Sequence, residues 1–269
     1  MNVFESLLYA LISGITELLP ISSSAHQYLM VEIFGVEYAD PILNFLIHLA
    51  VIAAIFHSCK KQISHLSYAL LSERSRGKHL SREKYDLRFI KTATIPLVIG
   101  LFVFTYLPNG NFDLADISLI CLANGFLLFI SSRALQGNKT SRSMTAIDAA
   151  AVGVLGSLAV FPGVSRTGVA LSVPVIRGAD RQATLNWALI LSIPALAVLL
   201  FIDFLRIFSM FQPVSFVVYL GYLLATGLAF LGASGAIALL RFMSVKNGFA
   251  GFAYYAWGTA LFAFILYLI

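Results

Sequence analysis

Charged side chains are scarce in this chain. Only 12% of its 269 residues are Asp, Glu, Lys or Arg, whereas 59% are hydrophobic and the mean hydropathy is +0.87. Soluble domains typically contain about 25% charged and about 45 to 50% apolar residues. The composition therefore excludes an ordinary soluble domain and predicts an all-α polytopic membrane protein, because a helix satisfies its own backbone hydrogen bonds in lipid.

Cysteine is almost absent as well. Cys59 and Cys121 are far apart, and no CxxC motif or Cys/His cluster accompanies them. This excludes a disulfide framework and a zinc site, so we interpret both residues as packing residues. Lys and Arg outnumber Asp and Glu by 18 to 13, but they are concentrated in short polar gaps between apolar runs. These basic residues indicate how the chain is oriented in a membrane, and no nucleic acid partner is expected.

The N-terminus lacks the basic residues of a secretory signal peptide. Glu5 stands where a basic region would be, and Glu17 interrupts what would be the apolar core. We therefore do not expect a cleaved signal peptide here, although Ser-Ser-Ser-Ala resembles a cleavage site.

Six apolar runs are long enough, or nearly so, to cross a hydrocarbon core that needs about 20 helical residues. They cover 41–59, 92–107, 117–135, 183–204, 215–240 and 250–269. Two further apolar stretches, 3–34 and 147–177, are too long for one span and too short for two, and each is broken near its middle by Pro20 or by Pro162-Gly163. We interpret each as a re-entrant hairpin, in which a helix enters to about half depth, breaks, and a second short helix returns to the same face.

The charges in the gaps orient these segments. Three gaps are basic and should be cytoplasmic by the positive-inside rule; they contain Arg74, Arg76, Lys78, Arg82, Lys84, Arg88 and Lys91, then Arg133, Lys139 and Arg142, then Arg241 and Lys246. The other gaps are acidic and should be outside; they contain Glu37, Asp40, Asp113, Asp116 and Asp203, with Arg206 as their one basic residue.

Each hairpin is thus followed by three spans. Because three is odd, the second half must be inverted relative to the first. The sequence predicts one membrane domain over 1–269, made of inverted-topology repeats at about 1–136 and about 147–269. The two broken hairpins should meet near the midplane of the membrane.

Glu17, His26 and Arg166 lie in these otherwise apolar stretches, each beside a break. Placing an ionisable group at membrane depth costs about 2.5 to 3.5 kcal/mol on insertion scales. Such a residue is therefore expected only where it is paired, hydrated or needed for function. Taken singly, Glu17 fits a neutral buried carboxyl, His26 an interfacial histidine and Arg166 a snorkelling side chain. The three together beside two breaks favour a functional site.

Hydroxyl side chains surround both breaks. The first amides of a helix lack intrahelical partners, and the positive end of the helix dipole lies there. Residue types that cap helices and donate hydroxyl hydrogen bonds are present at both places, namely Ser22, Ser23, Ser24, Ser165 and Thr167. Together with the Arg166 guanidinium they predict a site for a multiply charged oxyanion, and Gly163 would let the backbone approach it closely.

A carboxylate beside a bound phosphate is repulsive unless it is protonated, paired with Arg166 or bridged by a cation. A catalytic role would explain why Glu17 is present: Glu17 could deprotonate Ser23 or a water, or hold a divalent ion. His26 could act as acid, base or nucleophile. The sequence leaves the choice of nucleophile between Ser23 and His26 open. His48, also at membrane depth, is a weaker candidate for supporting the site.

At these residues the chain resembles the undecaprenyl-diphosphatase family, bacterial membrane phosphatases associated with bacitracin resistance. The first family motif begins with Glu or Gln and is matched here by Gly14, Thr16, Glu17, Leu19, Pro20, Ser22, Ser23 and His26. The second is matched by Pro162, Gly163, Ser165, Arg166 and Gly168. Leu18, Ala25 and Thr167 depart from the pattern conservatively. Ser13 stands where the family has Glu or Gln, which removes a carboxyl-type side chain four residues before Glu17 and bears on divalent-ion binding.

The resemblance implies hydrolysis of the terminal phosphate of undecaprenyl diphosphate, which recycles the lipid carrier of cell-wall synthesis. It implies a multi-pass protein of the bacterial cytoplasmic membrane with a pocket open to the outer side. The expected catalytic residues are Glu17, Ser23, His26 and Arg166, and the expected substrate-binding residues are Ser13, Thr16, Ser22, Ser24, Gly163, Ser165 and Thr167. Glu17 would be the ligand of a divalent cation, Mg²⁺ or Ca²⁺, if one is bound.

The expected partners are the polyprenyl diphosphate lipid and the membrane, with a homodimer left open. Two other functions also remain open. A polyprenyl-phosphate transporter fits because inverted repeats with midplane breaks are a transporter design. A catalytically weakened binding paralogue fits because of Ser13.

Overall fold

The computed structural model describes residues 1–36, 39–72, 82–107, 112–135, 137–209, 215–246 and 249–269, with main chain alone at 245 and 246. Within these ranges the regular structure is helical. The helices are α1 (Val3–Leu18), α2 (Ser23–Phe34), α3 (Pro41–Ser72), α4 (Arg82–Tyr106), α5 (Leu114–Arg133), α6 (Ala146–Ser157), α7 (Arg166–Ile176), α8 (Arg181–Ser209), α9 (Phe216–Lys246) and α10 (Ala250–Leu268). The predicted all-α class is confirmed.

Six of these helices, α3, α4, α5, α8, α9 and α10, are long and apolar enough to cross a membrane. Large apolar side chains also cover outer helix surfaces: on α9, Leu223 is 63% exposed, Leu224 58% and Leu231 63%. A surface of this kind requires a lipid environment rather than water. The number of spans and the polytopic membrane architecture agree with the prediction.

Helix boundaries differ from the apolar runs at the ends rich in basic residues. α3 continues beyond residue 59 to Ser72, and α4 begins at Arg82, well before residue 92. Hydropathy marks the part of a helix that lies in lipid, but Lys, Arg, Glu and Gln extend helices well into water. At the point where the apolar part of α3 ends, Cys59 leaves helical geometry, and Arg241 Nη2 donates to the Ser58 carbonyl at 2.8 Å.

Some residues used to predict orientation lie outside the part of the chain that the structure describes. They are Glu37, Arg74, Arg76, Lys78 and the side chain of Lys246.

The two broken stretches are helix pairs. α1 and α2 are separated by a break at Pro20, and α6 leads through a 3₁₀ turn, Leu158–Val160, to a break at Pro162-Gly163 before α7. These four helices have 16, 12, 12 and 11 residues. At 1.5 Å per residue none exceeds about 24 Å, which is short of a hydrocarbon core of about 30 Å. Both predicted break positions are confirmed.

The helices of the two halves of the chain, α1–α5 and α6–α10, make reciprocal contacts. The first helix of each half packs on the fourth helix of the other, α1 on α9 and α6 on α4. The third helices, α3 and α8, pack together, as do the fifth helices, α5 and α10. Glycines allow the first of these contacts: a methyl group on Gly14 would lie 2.4 Å from the Ala229 carbonyl oxygen, and one on Gly153 would lie 2.1 Å from that of Ala93.

Candidate active site

The two breaks are in direct contact. The Gly163 amide donates a hydrogen bond to Ser22 Oγ at 3.0 Å, and Ser165 Oγ donates to the Leu19 carbonyl at 3.3 Å. A serine hydroxyl of each break therefore forms a hydrogen bond with a backbone group of the other break. Such bonds are needed inside a membrane, because backbone groups find no water there to bind. The prediction that the two breaks meet is confirmed.

Asn124 of α5 ties the breaks together from the side. Its Nδ2 donates to the Pro20 carbonyl at 3.0 Å, and its Oδ1 accepts from the Ser165 amide at 3.2 Å. Asn124 is only 6% exposed. Sequence reasoning missed it, although a carboxamide inside an apolar run is itself a signal, because such a group needs partners in the bundle.

A serine caps the second helix of each pair. Ser22 Oγ accepts from the Ala25 amide at 3.4 Å at the start of α2, and Ser165 Oγ accepts from the Gly168 amide at 3.1 Å at the start of α7. The other first-turn amides of each helix have no intrahelical partner. Because the two N-termini lie side by side, their positive dipole ends act on the same place.

A cavity of about 260 Å³ opens at this place. Its polar lining comprises Thr16, Glu17, Ser22, Ser23, Ser24 and Gln27 from the first pair of helices, Ser165 and Arg166 from the second, and Asn44, His48, Thr105, Asp203 and Arg206 from α3, α4 and α8. The cavity therefore lies toward the end of the bundle at which α3 begins and α4 and α8 end. We call it the polar pocket.

Glu17 and Arg166 form an ion pair in the polar pocket. Arg166 Nη2 donates to Glu17 Oε1, and the side chains of Glu17 and Arg166 are 7% and 12% exposed. Glu17 also interacts with the Ser23 hydroxyl and, through charge, with His48. Of the three conditions under which a carboxylate tolerates a neighbouring phosphate, the structure provides pairing with arginine. A guanidinium has five N–H donors, so others remain for an anion.

His48 and Asp203 form a second charged pair. His48 Nδ1 lies 2.7 Å from Asp203 Oδ2, and the side chains are 13% and 6% exposed. The prediction that Asp203 lies in a gap between spans is wrong. α8 extends to Ser209, so Asp203 lies within the helix and turns toward α3. Arg206, one turn later on α8, also lies in the helix and lines the polar pocket.

His26 does not line the polar pocket. Its Nδ1 donates to the Ser22 carbonyl at 2.7 Å and its Nε2 accepts from the Tyr255 hydroxyl at 2.8 Å, with the two rings stacked. It borders an apolar groove of about 560 Å³ between α1, α9 and α10. Ser23 and Gln27, four residues apart on α2, share the pocket face, and His26 points elsewhere because one residue turns a helix by about 100°. The structure does not bring His26 to Glu17 and Arg166, and its catalytic role stays a prediction.

Three further predicted residues do not line the polar pocket. Ser13 is 1% exposed and accepts from Gln27 Nε2 at 3.0 Å; the same amide lies 3.4 Å from Ser23 Oγ. Thr167 is 1% exposed, and its hydroxyl has no hydrogen-bond partner among the described residues. The Gly163 amide already donates its hydrogen bond to Ser22 Oγ. Sequence reasoning missed Gln27, which reads as an ordinary polar residue of a short helix.

The described residues include no group of three or more His, Cys, Asp and Glu side chains that could hold a metal ion. The polar pocket has two carboxylates, Glu17 and Asp203, and each faces a basic side chain. Side chains of the described part of the chain therefore do not form a metal site by themselves. A Mg²⁺ or Ca²⁺ ion held beside Glu17 would need phosphate oxygens of a ligand as well, as magnesium sites commonly do.

The fold and the site define a polytopic membrane protein with a polar pocket of the kind that binds oxyanions. The chain belongs to the family described as bacitracin resistance protein BacA, whose family model matches residues 6–262.

Curated relatives match over nearly the whole chain. The undecaprenyl-diphosphatase of Thermosipho africanus is 32% identical over 260 residues, covering 95% of this chain and 97% of the relative. Undecaprenyl-diphosphatase 3 of Bacillus cereus is 29% identical over 266 residues, covering 97% and 96%. The undecaprenyl-diphosphatase of Prochlorococcus marinus is 29% identical over 268 residues, covering 95% and 96%. The family resemblance drawn from the two motifs is confirmed.

Proposed function

We propose that this chain is a membrane phosphatase that removes the terminal phosphate of undecaprenyl diphosphate and so recycles the lipid carrier of cell-wall synthesis. The observation that carries the proposal is the buried ion pair of Glu17 and Arg166 beside two serine-capped helix N-termini. The names of the relatives support the substrate.

The geometry supports a division of roles. Arg166 and the first-turn amides of α2 and α7 bind the terminal phosphate and the charge that develops on it during attack. Glu17 holds Arg166 in place and orients the attacking group, which is the Ser23 hydroxyl or a water. We favour Ser23 over His26 as a nucleophile because Ser23 lines the polar pocket and contacts Glu17. A divalent cation shared by Glu17 and the phosphate stays part of the proposal.

We also propose that the protein consists of two inverted repeats, with the helix pairs α1–α2 and α6–α7 as re-entrant hairpins. The repeated order of two short and three long helices supports this, as does the reciprocal packing of α1 on α9 and α6 on α4. Three spans separate the hairpins, which makes the second repeat inverted.

The polar pocket would then open to the outer side of the bacterial cytoplasmic membrane. It lies at the end of the bundle where Asp40 and Asp113 precede α3 and α5 and Asp116 lies in the first turn of α5. The opposite end carries basic residues, among them Arg82, Arg133 and Arg142. By the positive-inside rule the basic end is cytoplasmic. A homodimer stays a prediction.

The test is phosphate release from undecaprenyl diphosphate by the purified protein in detergent. Removing a preorganised donor to transition-state charge costs about 10²- to 10³-fold in rate, so Arg166→Ala should slow release by at least about 100-fold. Arg177→Ala is the matched control, because Arg177 also pairs with a buried carboxylate, Asp148, away from the pocket. It should keep release within a few-fold of the wild type. No phosphate release by the wild type would refute the proposal.

A lipid-phosphate transporter is the second candidate. The observation in its favour is the meeting of two broken helices, which transporters use to hold anions. Labelled polyprenyl diphosphate in proteoliposomes separates the two functions. Transfer between leaflets without phosphate release indicates a transporter, whereas release without transfer indicates the phosphatase.

A further inference from the structure

We propose that His48, oriented by Asp203, is the general base of the polar pocket. This inference rests on the proposed phosphatase function and adds a catalytic residue to it. It starts from the pair of α3 and α8 side chains that the family motifs do not include.

The hydrogen bond between the two side chains fixes the tautomer of His48. Asp203 Oδ2 accepts from His48 Nδ1 at 2.7 Å, and the Asp203 side chain is 6% exposed, so this carboxylate depends on the imidazole N–H. With the proton on Nδ1, the lone pair of Nε2 is free to accept one. Nε2 has no hydrogen-bond partner within the described ranges, and His48 lines the polar pocket with Ser23 and Glu17.

The other candidate bases of the site are already engaged. The Glu17 carboxylate faces the Arg166 guanidinium. Both ring nitrogens of His26 are engaged, by Ser22 and Tyr255, and its ring borders a different cavity. Among the described histidines, His48 alone lines the polar pocket.

The charged groups around His48 come from three other helices. Asp203 on α8 bonds to its ring, and the carboxylate of Glu17 on α1 acts on it through charge. Arg166 on α7 and Arg206 on α8 also face the pocket, where they would meet the phosphate. The other side chains that α3 and α4 contribute to the pocket are uncharged; they include Asn44 and Thr105.

The step balances without any further reactant. A bond forms between the attacking oxygen, from Ser23 or water, and the terminal phosphorus, while the proton of that oxygen moves to His48 Nε2. The bond from this phosphorus to the bridging oxygen breaks, and its electron pair leaves with the polyprenyl phosphate. His48 then returns its proton to the solvent. If Ser23 attacks, a water then attacks the phosphorus of the phosphoserine and its proton moves to His48 Nε2. The bond from this phosphorus to Ser23 Oγ breaks, and Oγ takes the proton from His48 to restore the serine hydroxyl.

The alternative is that the pair only clamps α3 to α8. The two roles differ in what a variant changes: a clamp affects stability, whereas a base affects kcat at nearly constant KM. Proton transfer by a positioned side chain typically contributes about 10²- to 10⁴-fold.

The experiment compares His48→Gln, His48→Ala and Asp203→Asn with His57→Gln as the matched control. His57 lies on the same helix, is exposed and does not line the pocket. We expect His48→Gln to lower kcat by about 100-fold or more with KM within about threefold, and Asp203→Asn to lower kcat by about tenfold or more. His57→Gln should match the wild type. Added imidazole should restore part of the activity of His48→Ala.

An active wild type with His48→Gln within threefold of its kcat would overturn the inference and leave the proposed function intact. Failure of imidazole to restore activity to a His48→Ala protein that unfolds at the wild-type temperature would do the same. If His48→Ala does not fold because Asp203 is left unpaired, the double variant His48→Ala/Asp203→Ala takes its place in the rescue assay. A wild type that releases no phosphate instead refutes the proposed function itself.

Discussion

Each carboxylate of the polar pocket faces one basic side chain, Glu17 with Arg166 and Asp203 with His48. Burying an isolated charge is expensive, and removing one partner of a buried pair typically costs about 3 to 5 kcal/mol. The pocket therefore holds its charges ready for an anion without an unpaired carboxylate to repel it.

Ser13 tests whether a further carboxylate can be tolerated in this region. Ser13→Glu would place a charge at a position that is 1% exposed, next to Gln27 and four residues before Glu17. We expect Ser13→Glu to unfold about 5 °C or more below Ser13→Gln in the presence of a chelator, because only the first variant buries an unpaired charge. With Mg²⁺ or Ca²⁺ added the gap should narrow, since a cation would pair with the new carboxylate. Equal unfolding temperatures with and without the ions would contradict a cation site here.

Residue types predicted part of the site and missed another part. Glu17, Ser23 and Arg166 were found because a charge or a hydroxyl run in an apolar stretch is conspicuous. Asp203 was missed because it stands at the end of an apolar run, where a loop residue is equally expected. His26 was expected in the pocket because sequence proximity does not show which side of α2 a residue faces.

At the scale of the helices, the breaks are structural elements in their own right. Gly163 has φ of +110°, and a methyl group there would lie 2.7 Å from Ile120 Cγ2 and 3.0 Å from the Cys121 amide nitrogen. The break can therefore approach α5 closely only because this residue has no side chain.

Gly163→Ala should accordingly lower both stability and phosphate release. Strain at such a backbone conformation costs about 1 to 3 kcal/mol, and the clash adds to it. Gly235→Ala on α9 is the control, because a methyl group there would meet nothing within 4 Å. Thermal unfolding in detergent should place Gly163→Ala several degrees below the wild type and Gly235→Ala at or above it. Equal behaviour of the two variants would show that the break is not closely packed.

Helix existence and breaks were predictable from sequence, whereas helix ends were not. Proline and glycine in the middle of an apolar stretch mark a break by removing a donor or adding freedom. The extension of α3 to Ser72 was not predictable from hydropathy, because a helix continues into water when its polar residues favour it.

The proposed orientation can be tested on the whole molecule with a membrane-impermeant maleimide. Ser215→Cys, before α9, should be labelled in intact cells, whereas Asn138→Cys, between α5 and α6, should be labelled only after the membrane is opened. Both positions are exposed, and the background is Cys59→Ala/Cys121→Ala. Labelling of Asn138→Cys but not Ser215→Cys in intact cells would show that the orientation is the reverse of the proposed one, with the polar pocket on the cytoplasmic side.

The central claim is that two broken helix pairs, from opposite halves of the chain, build one phosphate pocket around Glu17 and Arg166. The most direct measurement is a double-mutant cycle on kcat/KM for phosphate release, with Glu17→Gln, Arg166→Gln and both together. Residues in contact couple by about 0.5 to 3 kcal/mol. We predict that each single variant loses about 100-fold or more and that the double variant stays within about tenfold of the slower single variant. Losses that multiply in the double variant would show that Glu17 and Arg166 act independently and would contradict the shared pocket.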